Sequence, residues 1–159
     1  MRFKKFYEAT VVDIRATIGD VTKGRAKPVK SEFKSINKSG TATFYSNAVT
    51  TEDQSHWEQT IKPVKKFGKN VSLVKFREAW NGDVLVRCSC HDFRYRRGYG
   101  ATEENFILGK KEKRPSNITN PPPTFPKGKI CKHVENLLAV VKPNIPKMYK
   151  EFKASHQGE

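Results

Sequence analysis

The residues of this chain best suited to chemistry form two short pairs, Cys88-Ser89-Cys90 and Cys131-Lys132-His133. They include every cysteine of the sequence. Thiolate and imidazole are the ligands that zinc takes four at a time. A shell made wholly of side chains leaves no position for water, so the chemistry expected is structural: one Zn2+ ion held by Cys88, Cys90, Cys131 and His133. Other readings compete. A cysteine is often a small buried hydrophobe. A Cys88–Cys90 disulfide would be strained at that separation. His91 could replace His133 as the fourth ligand, whereas His56 and His156 have no partner in sequence and read as surface or core residues.

Two elements must carry these pairs. Val84, Leu85 and Val86 read as a strand that runs into Cys88. Alternate side chains of a strand share a face, which lets Cys88 and Cys90 reach one ion. Val134, Leu137, Leu138 and Val141 repeat at helical spacing, which predicts a helix over 130–141 that Pro143 ends. Its N-terminus should favour the thiolate of Cys131. A short second helix is expected over 146–154.

Upstream, residues 1–18 read as an amphipathic opening and 19–31 as an extended basic linker or docking arm. Residues 32–49 read as a hairpin around Asn37-Lys38-Ser39-Gly40. Residues 55–67 read as a strand that Pro63 pushes toward an edge. Val71, Leu73, Val74 and Phe76 read as a strand that turns at Asn81-Gly82 into Val84. Residues 91–129 form a long connection, with a proline- and asparagine-rich stretch near Asn120-Pro121.

Of the residues, 36% are hydrophobic and 30% charged. That allows only a modest core, which a metal would help to hold. The net charge is +15, from 31 Lys and Arg against 16 Asp and Glu. Such an excess suits nucleic acid, an acidic protein surface or an anionic membrane, though a solvated basic surface is the plainer reading. There is no apolar run long enough to span a bilayer and no secretory leader at the first residues. An odd number of cysteines argues against a disulfide framework and for a reducing, cytoplasmic setting.

The pattern C-x-C…C-x-H resembles the SWIM zinc finger over about residues 84–141. The resemblance implies a zinc-bound ββα unit with Cys88, Cys90, Cys131 and His133 as ligands. The separation of the pairs, residues 91–130, is longer than most members show. The segment from Cys88 to Arg96 is also similar to small uncharacterised SWIM-type proteins of tailed bacteriophages. In those, a Phe-x-Tyr segment, an Asn-Pro stretch and a Cys-Lys-His helix follow in order, here Phe93-Arg94-Tyr95, Asn120-Pro121 and Cys131-Lys132-His133. The opening Phe3-Lys4-Lys5-Phe6-Tyr7-Glu8 resembles the start of many large-phage proteins.

The fold expected is therefore α+β: small antiparallel hairpins and a zinc-stapled ββα unit, with an extended N-terminal arm and a long loop. The divisions fall at 1–31 (arm), 32–83 (β-rich), 84–142 (SWIM-like zinc-binding unit) and 143–159 (C-terminal helix and tail).

No nucleophile elbow or phosphate-cradling loop is readable, and acidic residues are too scattered for a two-metal centre. His91-Asp92 could in principle act as a base, but Asp92 reads more simply as a ligand-orienting or capping residue. A non-catalytic binding protein without a small-molecule substrate is expected. The first function class is a phage virion or assembly component, built into particles in the host cytoplasm and bridging other subunits. The second is nucleic-acid binding, with Arg94, Arg96 and Arg97 among Phe93, Tyr95 and Tyr99, and with Lys110, Lys111, Lys113 and Arg114 as a second cluster. The plainer reading of Phe93 and Tyr95 is core beneath the metal, with the arginines facing outward.

Overall fold

The structure, a computed structural model, describes residues 29–47, 56–113 and 130–157, and leaves the side chain of Arg96 undescribed. The amphipathic opening, most of the N-terminal arm, Asn120-Pro121 and Arg114 lie outside the described residues. Among the described residues the fold is α+β, and no helix is long and apolar enough to cross a membrane.

Strands β1 (Ser31–Ile36), β2 (Ala42–Asn47), β3 (His56–Pro63) and β4 (Val84–Cys88) form one antiparallel sheet in that order. The β1–β2 hairpin turns where the sequence predicts. Asn37 Oδ1 accepts from the Thr41 N–H at 2.9 Å, and Gly40 adopts a φ of 77°, which a side chain would strain. Lys34 is bulged out of register between Phe33 and Ser35.

Registers align Phe33, Phe44, Gln59 and Cys88 in one row, and Ile36, Ala42, Ile61 and Val86 in another. All eight are buried, so one sheet face is the core face and Cys88 belongs to it. The strand carrying Pro63 is internal rather than an edge. Pro63 lies opposite Val84 on one side and past the paired end of β2 on the other, so its missing N–H breaks no ladder bond.

The segment read as the first strand of an Asn-Gly hairpin is instead helix α1 (Leu73–Asn81). Ser72 caps it, its Oγ accepting from the Lys75 N–H at 3.3 Å. Phe76, Ala79 and Trp80 point inward, while Val74 is 66% exposed. Asn81-Gly82 ends this helix, and β4 takes β3 as its partner. A bond from the Val64 N–H to the Asp83 carbonyl, at 2.9 Å, closes the neck of the excursion.

Beyond Cys90 the chain is not one irregular connection. Phe93–Arg97 makes a single π turn, its bond running from the Gly98 N–H to the Phe93 carbonyl, and helix α2 (Gly98–Glu103) follows. Residues 106–108 then bridge the outer edge of β4, with the Val86 N–H donating to Phe106 and the Leu108 N–H to Val86, at 2.8 and 2.9 Å. The edge is thereby covered. Arg87 clamps this strip. Its Nε donates to the Leu108 carbonyl at 2.6 Å, its guanidinium pairs with Glu112 at 2.6 Å and also contacts the Lys110 carbonyl. Glu112 packs so closely on Gly98 that a Cβ there would sit 2.8 Å from its Cγ. Arg87→Met, which keeps the stem and removes the donors, should cost about 2 kcal/mol. It should speed amide exchange at Leu108 and Glu112 and leave the β1–β2 amides unchanged.

The two C-terminal helices expected are one, α3 (Lys132–Ser155), and Pro143 does not end it. Pro143 and Pro146 are exposed, as are Ala139 and Lys142, whose carbonyls lose their helical donors. That side of the helix faces solvent, while Val134, Leu137, Leu138, Val141, Ile145, Met148 and Phe152 continue one buried stripe along the core. At its far end Tyr149 Oη donates to the Val71 carbonyl at 3.1 Å, fixing α3 to the loop before α1.

Candidate metal centre

Four side chains converge where the end of β4 meets the start of α3. The ligand atoms of Cys88, Cys90, Cys131 and His133 lie within 4.8 Å of one another, and all four residues are buried. Bonds of zinc length put such atoms about 3.8 Å apart in a tetrahedron. The cluster can hold one metal ion.

Each position follows from local structure. Cys88 is the last residue of β4, and Cys90 lies two residues on, where the chain bends into the π turn. The Arg94 N–H donates to the Cys90 carbonyl at 2.9 Å, and the Phe93 N–H points at Cys90 Sγ at 3.3 Å. An N–H aimed at sulfur suits a thiolate ligand. Cys131 occupies the N-cap position of α3, but its side chain caps nothing and turns to the cluster. Its carbonyl accepts from Glu135 at 3.0 Å, which starts the helix and brings His133 round to the same point. Both ring nitrogens of His133 are buried without a hydrogen-bond partner among the described residues. A buried imidazole with neither nitrogen satisfied is costly unless something else binds it. A metal ion would.

The thiols perturb one another strongly. Hydrogen bonds from Cys131 and then Cys88 hold Cys90 well below the ordinary thiol range, aided by the Phe93 N–H. Burial, then the neighbouring Cys88 and Cys90, push Cys131 well up. The bond with Cys131 pulls Cys88 down, but Cys90 and burial outweigh it, and the net shift is upward. Without a cation, burial and the crowding of sulfurs thus oppose the thiolate that the helix terminus favours at Cys131. Thiols this close cannot all ionise by themselves, and a divalent cation is what permits it. All three are free cysteines, so no disulfide competes.

His91 does not join the cluster. It is exposed and meets Trp57 edge-on at a centroid distance of 5.4 Å. Asp92 makes no capping bond. Its carboxylate accepts from Arg97 Nε at 3.3 Å. Phe93 is core, but Tyr95 is 57% exposed, contrary to a core role. Arg94 is exposed and lies over the Tyr95 ring at 5.5 Å. Lys110, Lys111 and Lys113 are exposed, and Arg97 is partly buried in its ion pair.

The sequence places Trp57 in the strand read over 55–67 but carries no signal that it adjoins the cluster. It sits at the start of β3, tilted against the His133 ring at 6.2 Å, so it shields the cluster from the side. Only the register of β3 against β4 brings it there.

No protein-family model, curated protein or solved structure matches the chain.

Proposed function

We propose that the chain is a non-catalytic binding protein whose four-residue cluster holds one structural zinc ion. The observation that carries this is the closure of the site. Three thiols and an imidazole, all buried, use every position of a tetrahedral ion and leave none for substrate. Zinc is the metal that suits this donor set, with no redox step required of it. In this reading the ion joins sheet to helix, as in the SWIM zinc finger that the C-x-C…C-x-H pattern resembles.

The role proposed for it is that of a phage virion or assembly component, built into particles in the host cytoplasm and bridging other subunits. The similarity of Cys88–Arg96 to tailed-phage proteins supports that role. A second reading, nucleic-acid binding, is favoured by the exposed Arg94 over Tyr95 and by the exposed Lys110, Lys111 and Lys113. Two measurements separate them. Mass spectrometry of purified particles is expected to find the chain at fixed stoichiometry. Binding to random duplex DNA across a salt series falls steeply with salt if phosphates are contacted. Absence from particles together with steep salt dependence would replace the assembly role by the second reading.

A further inference from the structure

Aromatic rings run outward from the metal cluster in a continuous series. His133 meets Trp57 at 6.2 Å, Trp57 meets His91 at 5.4 Å, and His91 meets Tyr95 at 5.9 Å. Arg94 closes the series over the Tyr95 ring at 5.5 Å. The inner end is buried and the outer end is exposed: His133 is core, Trp57 is half-buried, and Tyr95 and Val74 are the large apolar side chains left open to solvent among the described residues. Tyr95 is not loose. It lies in the π turn, whose backbone is tied to Cys90 by the Arg94 N–H.

We infer that this ladder is a stacking platform for unpaired bases, with Tyr95 as its outer step and Arg94 as the phosphate and base contact. The inference rests on the nucleic-acid reading above and narrows it to single strands. Bases of a duplex are stacked on each other and present edges, whereas unpaired bases present faces that aromatic rings accept whatever the sequence. The charge around the ladder fits a polyanion. Lys111 and Lys113 are exposed on either side of Glu112, which packs on Gly98 at the end of the π turn, and Glu112 itself is paired with Arg87. Asp92 is neutralised by Arg97. Glu103 and Glu104 carry exposed negative charge, but at the C-terminal end of α2.

The test uses the full, zinc-loaded chain and an oligothymidylate of about twelve nucleotides, within the site size of single-strand-binding modules. An oligouridylate of the same length and a matching duplex are the other arms. Trp80 is wholly buried and Trp57 is not, so quenching of tryptophan fluorescence on titration reports the ladder. Expected are quenching by the single strand and about tenfold weaker single-strand binding for Tyr95→Ala. Tyr95→Phe should bind as the parent, and duplex binding should be unmoved by either change. Equal binding of the two single strands means that the base face alone is read. Preference for one of them assigns the platform to DNA or to RNA. Unchanged affinity in Tyr95→Ala, with binding still steep in salt, overturns the platform and leaves the nucleic-acid reading standing. No binding of any strand at low salt overturns both.

Discussion

Cys131→Ala is expected to lose stoichiometric zinc and, with it, most of the cooperative melting transition. Zinc binding to comparable all-protein sites contributes about 10–16 kcal/mol to folding at neutral pH, which matches or exceeds the whole stability of an ordinary domain. Loss of the thiol itself, as a small buried group, would cost only about 1 kcal/mol, so a deficit of several kcal/mol separates the two causes. The damage should be focused. The π turn that follows Cys90 and the first turn of α3 meet at the cluster, and residues 106–108 pair with the strand that carries Cys88, whereas the β1–β2 hairpin and the far end of α3 lie away from it. Hydrogen exchange should therefore rise first around Phe93, Phe106 and Val134. The unaltered chain treated with a strong chelator should show the same pattern. A variant that melts like its parent, or a parent free of metal by elemental analysis, would remove the structural zinc from the account.

Phe76→Ala is expected to cost about 3–5 kcal/mol in urea denaturation of the metal-loaded protein. Phe76 is wholly buried and is the hub of the second aromatic group. Its ring centroid lies 4.9 Å from Phe67, 5.4 Å from Tyr149, 5.6 Å from Phe152 and 6.1 Å from Trp80. Val74→Ala is the control, expected within about 0.5 kcal/mol because the side chain faces solvent. The pair also tests the local fold. In a strand, residues 74 and 76 would share a face and both truncations would hurt. In a helix they diverge, and only one does.

The residues of the four-membered cluster were legible because their chemistry is carried by residue type and spacing alone. Cysteine is scarce here, and all of it falls in the two pairs. The β1–β2 hairpin was legible for a similar local reason, since Asn37 and Gly40 each have a turn role that few residues share. The misread elements share a different cause. Val71, Leu73 and Val74 are β-prone, and their weight hid the Ser72 cap and the inward spacing of Phe76, Ala79 and Trp80. Pro143 reads as a stop only if its place on the helix circumference is unknown. On the exposed side, the carbonyls that lose their donors lie toward solvent rather than in the core, and the buried stripe carries on. The sequence marks Tyr95 as an aromatic among arginines, but the place of Trp57 beside the cluster and the outward turn of Tyr95 lay beyond any local pattern. One depends on pairing between β3 and β4, and the other on a π turn that rotates Phe93 inward and Tyr95 outward.

Helix α3 both roofs the sheet and supplies half of the cluster. Synthesis runs from the N-terminus, so a ribosome releases all four strands before Cys131 and His133 emerge. Until then the nascent chain has an uncovered apolar sheet face and two thiols with no opposing pair. Completion of the cluster and burial of that face thus become one late event, and any product cut short before α3 would be open to cellular proteases.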